Sequence, residues 1–328
     1  MAERPAQSIF SDNEWLEWAH RAGPLFKWAG GKQRFLWDNQ HLIPEFTGDY
    51  YEPFAGGLSV FFFVARQRST PLTGHLSDAN LRLVRAYQQV KRDWRSVNDQ
   101  LRQLEAAYRS AEDRGRMYFD VRTAHNAASP APDAARFIFL MRAGWNGVYR
   151  VNQRGGFNVP HGQLKDDLGF PSAEDLRAVS VALSASDLRA NSWESTLTSA
   201  REGDFVFLDP PYFSGSRSQL YEPGREFTYL NHVRLADYLV DLKKREVDFL
   251  LTNAAHPAMI KLYEERGLEL RAINMRRSIS SRAEDRGDQL ELVVLPGKRL
   301  KNTRAEAALD LQMRVKRGKI NGDKNLQE

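Results

Sequence analysis

The sequence predicts an α/β protein built on a parallel sheet, with a helical insertion between two groups of strands. From residue 49 onward, short apolar runs alternate with longer segments of helical periodicity, which is typical of strands joined by crossover helices. Strand patterns disappear between about residues 81 and 170. The 328 residues, 42% of them hydrophobic, suffice for one large α/β domain with an insertion. The predicted strands are 48–54, 73–77, 186–190, 204–208, 248–253, 268–274 and 290–295.

The predicted insertion is helical at its start and turn-rich at its end. Apolar residues recur every three or four positions over 81–104, and shorter helical patterns cover 112–126 and 133–143. The segment that follows, RAGWNGVYRVNQRGGFNVPHG, contains two pairs of turn-forming residues, Asn146-Gly147 and Gly155-Gly156. The intervening VYRVNQ suits a short strand, so the sequence predicts an exposed β-hairpin on a small helical domain.

Composition limits the possible chemistry. The chain contains no cysteine, which excludes disulfides, cysteine-ligated zinc and a thiolate nucleophile, and we identify no metal-binding residues. The net charge is +5, and residues 297–328 alone hold nine Lys/Arg and four Asp/Glu. Such a tail is either a solvated terminus or a contact for a polyanion. No apolar run reaches the roughly 20 residues of a membrane helix and the N-terminus does not resemble a secretion signal, so we expect a cytoplasmic protein without membrane contact.

Two motifs lie where predicted strands end. EPFAGGLS (52–59) leads from a strand into a helix, and its glycines allow the backbone to approach a ligand closely. Asp78 of LSDAN follows Gly56 by 22 residues and ends the next strand, a position from which a carboxylate binds ribose hydroxyls. Alternatively, Asp78 caps the helix that begins near Asn80. The two motifs together favour an adenosine-containing cofactor.

The tetrapeptide Asp209-Pro210-Pro211-Tyr212 directly follows the apolar run GDFVFL. It is either a plain rigid turn or a device that holds an aromatic amine. The lone pair of such an amine is delocalised into the ring. Two acceptors, the Asp209 carboxylate and the Pro210 carbonyl, could bind its two N–H groups and direct the lone pair at an electrophile. Tyr212 would stack on the ring.

A third motif completes a family pattern. FKWAGGK (26–32) combines aromatic residues, two lysines and a glycine pair. The motifs KWAGGK, EPFAGG, LSDAN, RAGWNGVYR, RGGFNVPHG, LDPPY and RRSISS occur in the order found in Dam-type DNA adenine-N6 methyltransferases, which the chain resembles over residues 24–296. Each motif alone is moderate evidence, and their conjunction in this order is strong evidence.

The resemblance implies a fold, a cofactor and a reaction. The fold is a Rossmann-like methyltransferase sheet with a helical target-recognition insertion that carries a β-hairpin, and the methyl donor is S-adenosylmethionine. Catalysis would use Asp209, Pro210, Pro211 and Tyr212, which would hold a flipped adenine. The residues implied to bind the donor are Trp28, Ala29, Lys32, Phe54, Ala55, Gly56, Gly57, Asp78 and Asp209.

The resemblance also implies contacts with double-stranded DNA. Trp145 stands where members carry an intercalating aromatic residue, and Asn146 lies beside it. Arg150 stands where an arginine binds guanine, a pairing that suits the guanidinium fork. Lys27 would contact an outer base. Further DNA contacts would come from Arg154, Arg276 and Arg277, with Arg142 as another phosphate contact. A core position for Trp145 is the alternative, although its neighbours Gly144, Asn146 and Gly147 favour a turn.

One position departs from the family pattern. Leu58 stands where the motif F-x-G-x-G has its last glycine, which puts donor affinity in doubt. His161 and His256 are interpreted as structural or DNA-facing, and no general base is identified.

The resulting domain prediction has four parts. They are an N-terminal extension (1–23), a catalytic domain (24–80 and 171–296), a helical DNA-recognition domain (81–170) and a basic tail (297–328). The predicted reaction is methylation of adenine N6, with GATC as the target, by a monomer; a separate restriction endonuclease is a possible partner. Cytosine-N4, RNA or protein-glutamine methylation are the alternatives, as is a catalytically silent DNA-binding protein. The last would be expected to lack Asp209 or Asp78, and both are present.

Overall fold

The computed structural model describes residues 10–127, 133–162, 169–213, 227–276 and 288–297. These residues form two compact units. The first contains the described residues of 10–41 and 47–200, and the second contains those of 42–46 and 201–297. Within the described residues, no helix is long and apolar enough to cross a membrane.

The first unit contains three parallel strands and most of the helices. Its strands follow the order β3-β2-β1, with Tyr50 opposite Gly74 and His75 opposite Asp187. The strands are β1 (Tyr50–Glu52), β2 (Gly74–Ser77) and β3 (Asp187–Arg189). The helices are α1 (Asp12–Ala19), α2 (Gln33–Asn39), α3 (Ser59–Ala65), α4 (Leu81–Ser110), α5 (Arg114–Ala127), α6 (Ala134–Ala143), α7 (Ala173–Ala182) and α8 (Trp193–Leu197).

The second unit contains a mixed four-stranded arrangement with the order β4-β5-β7-β6. β4 and β5 are parallel, whereas β7 runs antiparallel to both of its neighbours. All four residues of β4 are buried, as expected for a parallel strand that is covered on both faces. The elements are β4 (Phe205–Leu208), α9 (Tyr229–Lys244), β5 (Asp248–Ala254), α10 (Pro257–Glu264), β6 (Glu269–Arg276) and β7 (Asp288–Leu295).

The fold class is therefore confirmed as mixed α/β with mostly parallel strands. All seven predicted strands are present, with ends that differ from the predicted ones by at most two residues. The helices predicted at 112–126 and 133–143 are α5 and α6. The antiparallel pair β6–β7 follows the parallel strands. The predicted division into four domains stays a prediction.

Helix α4 is longer than its apolar pattern suggested and is interrupted once. It runs for 30 residues, but Asp93 has a non-helical conformation with φ −151° and ψ 72°. The Asp93 carboxylate accepts a hydrogen bond from the Ser96 amide at 3.1 Å, so Asp93 acts as an N-cap for the part of α4 that follows the interruption. Asn80 caps the start of α4 by accepting from the Leu83 amide at 3.1 Å.

The predicted hairpin is present in a less regular form than expected. Two isolated antiparallel bridges, Gly144 with His161 and Val151 with Phe157, join its arms. A short 3-10 turn covers Trp145–Gly147, where Asn146 has a positive φ of 54°. The Asn152 side chain accepts hydrogen bonds from two backbone amides of the far turn. Side-chain bonds thus replace part of the strand ladder, which explains the irregularity.

Leu58 explains the departure at the end of the glycine-rich motif. It begins α3 in the left-handed region, with φ 60° and ψ 25°, and its side chain is only 1% exposed. A glycine adopts this conformation freely, whereas leucine pays about 1–2 kcal/mol for it. Burial of the leucine side chain contributes about 1.5–3 kcal/mol in return. The left-handed turn is therefore retained without its usual glycine.

This balance predicts an unusual response to truncation. The Leu58→Gly variant should have the same free energy of unfolding as the Leu58→Ala variant, or one higher by up to about 1 kcal/mol. The reason is that glycine removes the strain of the left-handed conformation. At Leu101, which is buried in the middle of α4, the glycine variant should have a free energy of unfolding about 1–2 kcal/mol lower than the alanine variant. Urea unfolding of the four variants measures both differences. Equal losses at the two positions would show that the turn at Leu58 is not strained.

Candidate active site

The loops that follow β1 and β2 are tied together in the first unit. The Gly56 amide donates to Asp78 Oδ2 at 2.9 Å, and the Ala55 amide donates to the Ser77 carbonyl at 2.9 Å. The second carboxylate oxygen, Asp78 Oδ1, accepts from the Asn80 amide at 2.8 Å. The two motifs paired in the sequence therefore meet in space. Asn80 rather than Asp78 is the helix cap, so the capping alternative for Asp78 is wrong.

A cavity opens beside this pair of loops. It is lined by residues of both loops, including Gly56 and Asp78, and by residues of α4 such as Leu83, Val84 and Tyr87. The Tyr87 hydroxyl donates to the Gly57 carbonyl at 3.0 Å, and its burial raises the pKa of that hydroxyl, so it remains protonated as a donor. Apolar side chains and a carboxylate are the kinds of group that line adenosine sites, since the base is apolar on its faces and the ribose offers hydroxyl donors.

Trp28 packs directly on the glycine pair. A Cβ atom added at Gly57 would lie 2.9 Å from Trp28 Cβ, and one added at Gly56 would lie 3.0 Å from Trp28 Cδ1. Gly56 also has a positive φ of 47°. The close approach of the indole therefore requires glycine at both positions. Ala29 beyond it is exposed.

The other predicted donor-binding residues lie near this turn. Lys32 is buried, its amide donates to Ser59 Oγ at 3.1 Å and its ammonium donates to the Gly30 carbonyl at 3.2 Å. Phe54 is half-buried, with its ring centroid 6.4 Å from that of Trp193. Their assignment to a cofactor stays a prediction.

Glu52 is a buried acid that the sequence analysis did not identify. Its side chain is only 2% exposed and Oε2 accepts hydrogen bonds from the Phe61 amide at 3.0 Å and the Tyr50 hydroxyl at 2.9 Å. Burial, together with the nearby Glu52 charge, raises the pKa of Tyr50 well above its usual value, so the hydroxyl stays a donor. Glu52 thereby fixes α3 against the end of β1. The sequence feature that could have identified Glu52 is an acidic residue at the end of an apolar strand.

Asp209 lies at the end of β4 in the second unit, where a threonine orients it. Thr252 Oγ1 donates to Asp209 Oδ1 at 2.7 Å. The pairing of Leu208 with Leu251 in β4 and β5 places these two residues at equivalent strand positions. Asp209 is half-buried. Thr252 was not identified from sequence. The feature that could have identified it is the polar pair Thr-Asn within the otherwise apolar run FLLTNAA.

The residues after the two prolines are also anchored in the second unit. The Tyr212 hydroxyl donates to Glu291, and the Phe213 amide donates to Asn253 Oδ1 at 3.2 Å. The Phe213 ring meets His256 edge-on, with centroids 4.9 Å apart. These contacts fix the path of the chain on leaving the DPPY motif. Stacking of Tyr212 on a base stays a prediction.

The histidines have structural roles in the described contacts. His256 caps α10 by accepting from the Ala258 amide at 3.1 Å, and His161 Nε2 lies 2.6 Å from the Tyr108 hydroxyl. Burial lowers the pKa of His161 below its usual value. Burial also lowers the pKa of His232 to about 4, so that ring is neutral at pH 7. These contacts agree with the structural interpretation of His161 and His256.

The predicted DNA-contacting residues of the first unit lie on and beside the hairpin. Trp145 is 50% exposed, so the core alternative for it is wrong, and Asn146 beside it is exposed. Arg150 is exposed and donates to the Asn158 side chain at 2.9 Å and to its carbonyl at 3.0 Å. Lys27 is exposed beside the turn, since a Cβ added at Gly147 would lie 3.4 Å from Lys27 Cβ.

The remaining arginines are distributed differently. Arg154 is exposed, whereas the Arg142 guanidinium is partly buried and donates twice to the Leu25 carbonyl, at 2.9 and 2.5 Å. Arg142 therefore anchors the segment before Trp28, and its contact with phosphate stays a prediction. Of Arg276 only the backbone in β6 is described, while Arg277 and the tail 298–328 lie outside the described residues.

Comparison with known proteins identifies the family. The model of the D12 class N6 adenine-specific DNA methyltransferases matches residues 28–279. The chain is 30% identical to the type II methyltransferase M1.LlaDCHI of Lactococcus lactis subsp. cremoris, over 83% of this chain and 94% of the relative. It is 29% identical to the type II methyltransferase M.MjaIII of Methanocaldococcus jannaschii, over 83% and 98%. It is 30% identical to the DNA adenine methylase of Escherichia coli K12, over 83% and 94%. The chain thus belongs to the D12 class of N6 adenine-specific DNA methyltransferases.

Proposed function

We propose that the protein transfers the methyl group of S-adenosylmethionine directly to N6 of an adenine flipped out of double-stranded DNA, within the sequence GATC. The observation that carries this proposal is the orientation of the Asp209 carboxylate by Thr252 at the end of β4. The family supplies the base and the position of methylation. The donor, the flipping of the base and the target sequence are the parts that we add.

The first unit offers residues that fit the donor. Asp78, held by the Gly56 amide, would accept the ribose hydroxyls, and the apolar side chains of Leu83 and Val84 nearby would border the adenine. The glycine pair lets the Trp28 indole approach the turn closely, because neither residue has a side chain that would displace it. When bound, S-adenosylmethionine supplies a methyl group already activated by its sulfonium. The role of the protein is then to orient the amine and to exclude water.

Asp209 would act on the amine. The lone pair of adenine N6 is delocalised into the ring, and hydrogen bonds from both N–H groups to fixed acceptors restore its availability. The Asp209 carboxylate and the Pro210 carbonyl are proposed as those acceptors. Because the neighbouring prolines and the Thr252 bond restrict the motif, little motion has to be lost when the base binds. No general base is required before the bond forms, since the nitrogen becomes acidic only once it is quaternised.

The hairpin supports recognition of duplex DNA. An adenine inside a stacked duplex cannot present N6 to a buried site, so the base has to leave the helix. Trp145 is exposed beside a turn and would fill the space in the stack. Arg150 would bind guanine O6 and N7, in exchange for its present bonds to Asn158. The likeness of RAGWNGVYR and RRSISS to members that recognise GATC supports that target.

The first test of this function is a product analysis. Purified protein is incubated with S-adenosylmethionine and unmethylated duplexes with or without GATC, and the digested nucleosides are identified by mass spectrometry. We expect N6-methyladenine from GATC duplexes alone. Asp209→Ala should abolish the product while DNA binding in a mobility-shift assay stays within about twofold. N4-methylcytosine, or no product from any duplex, would refute the proposal, and product from all duplexes would refute the target sequence.

Thr252 provides a second prediction about the same carboxylate. Thr252→Val removes the hydroxyl at nearly constant volume, and hydrogen bonds to charged groups contribute about 1.5–3 kcal/mol. We expect kcat to fall about 10- to 100-fold through poorer orientation of Asp209. Thr252→Ser restores the donor and should retain most of the activity. A valine variant as active as the serine variant would exclude this positioning role.

Arg150 is predicted to carry specificity. Arg150→Ala should reduce discrimination at one base pair of the target by about 1–3 kcal/mol. Relative kcat/KM values for duplexes that differ from GATC at single positions measure this. Arg154→Ala is the matched control, because an exposed arginine that contacts only phosphate should weaken binding to all duplexes equally. An unchanged preference in the Arg150 variant would remove this residue from base recognition.

A further inference from the structure

One ring contact connects the proposed donor-binding turn to the proposed DNA-reading hairpin, and both lie in the first unit. The Trp28 indole stacks on the Tyr149 ring with centroids 5.3 Å apart and planes inclined by 29°. The same indole packs against Gly56 and Gly57. Tyr149 directly precedes Arg150 in the chain. A single indole therefore contacts the donor side and the residue next to the proposed guanine reader.

Neighbouring aromatic rings restrict the motion of the stacked Trp28 and Tyr149 rings. The Tyr149 ring also lies 6.0 Å from the ring of Phe137 and 5.9 Å from that of Phe157, both fully buried. On the other side, Phe26 lies 6.0 Å from Trp28 and meets Phe137 edge-on at 5.3 Å. Aromatic pairs at such distances attract one another beyond their burial. A displacement of the indole therefore cannot be absorbed without moving Tyr149.

The two stacked residues themselves are only half-buried, unlike the phenylalanines behind them. A ligand in the turn at 54–57 would border the indole and restrict its motion. Restriction of Trp28 restricts Tyr149 and with it the backbone that carries Arg150. A second ligand that binds Arg150 then loses less freedom on binding, which is the physical basis of positive coupling.

We infer that Tyr149 is a positioning residue that couples occupation of the donor site to recognition of DNA by the hairpin. This inference rests on the proposed function, because it takes the donor and DNA sites from there. Coupling of two equilibria is reciprocal, so DNA should raise donor affinity by the same factor by which the donor raises DNA affinity. One aromatic pair can carry a factor of about two to ten.

The test is a binding cycle rather than an activity measurement. The dissociation constant of S-adenosylhomocysteine is measured by titration calorimetry alone and with saturating GATC duplex, and that of the duplex is measured with and without S-adenosylhomocysteine. We expect both ratios to be about two- to tenfold in the wild type. Tyr149→Leu should bring both ratios to one, whereas Tyr149→Phe, which keeps the stacked ring, should preserve them.

A matched variant separates coupling from general packing. Phe170 stacks on Phe139 with centroids 5.7 Å apart and is half-buried, like Tyr149. Phe170→Leu should lower the melting temperature comparably and leave the coupling factor unchanged. If Tyr149→Leu melts below the assay temperature, Tyr149→Met, whose unbranched and flexible side chain fills an irregular space more readily, replaces it in the cycle with the same expected result.

The outcomes distinguish this inference from the function on which it rests. Wild-type ratios of one, or a coupling factor that persists in Tyr149→Leu, would overturn the coupling role while both ligands still bind. Equal loss of coupling in Phe170→Leu would overturn it as well, because the effect would then follow packing in general. A wild-type protein that binds neither ligand would refute the proposed function itself.

Discussion

The first unit depends on the hydrogen bond between the Gly56 amide and the Asp78 carboxylate. It joins the loops that follow two adjacent parallel strands, and the Tyr87 hydroxyl secures the same turn through the Gly57 carbonyl. The carboxylate is thereby held at the sheet edge instead of capping α4, a task that falls to Asn80. Gly56 and Asp78 both line the cavity, so this connection between the loops also forms part of its wall.

The second unit uses the same principle with different groups. Parallel pairing of β4 with β5 brings Thr252 to Asp209 and Asn253 to the chain beyond the prolines. Proline alone would limit the backbone torsions of the DPPY motif, but it could not fix the rotation of the carboxylate. A hydroxyl from the neighbouring strand does so. The orientation of the Asp209 carboxylate therefore depends on Thr252 as well as on the prolines of the motif.

Regular structure was largely predictable from the sequence, and its exceptions have physical causes. Short apolar runs located all seven strands because each strand contains buried residues, and burial is what the pattern records. The hairpin was less regular than predicted because Asn152 and Arg150 bind backbone groups through their side chains, which no periodicity reveals. The motifs were likewise recognised from sequence, whereas the hydrogen bonds from the Phe61 amide to Glu52 and from Thr252 to Asp209, which fix these motifs, required coordinates.

The close packing of Trp28 on two glycines has a consequence for how this sequence can vary. A methyl group at Gly56 or Gly57 would collide with the indole, and a smaller residue at Trp28 would leave the turn uncovered. No single substitution among the three is neutral. Viable sequences therefore have to change these positions jointly, through intermediates of lower fitness, so this corner of the fold is expected to drift more slowly than its exposure would suggest.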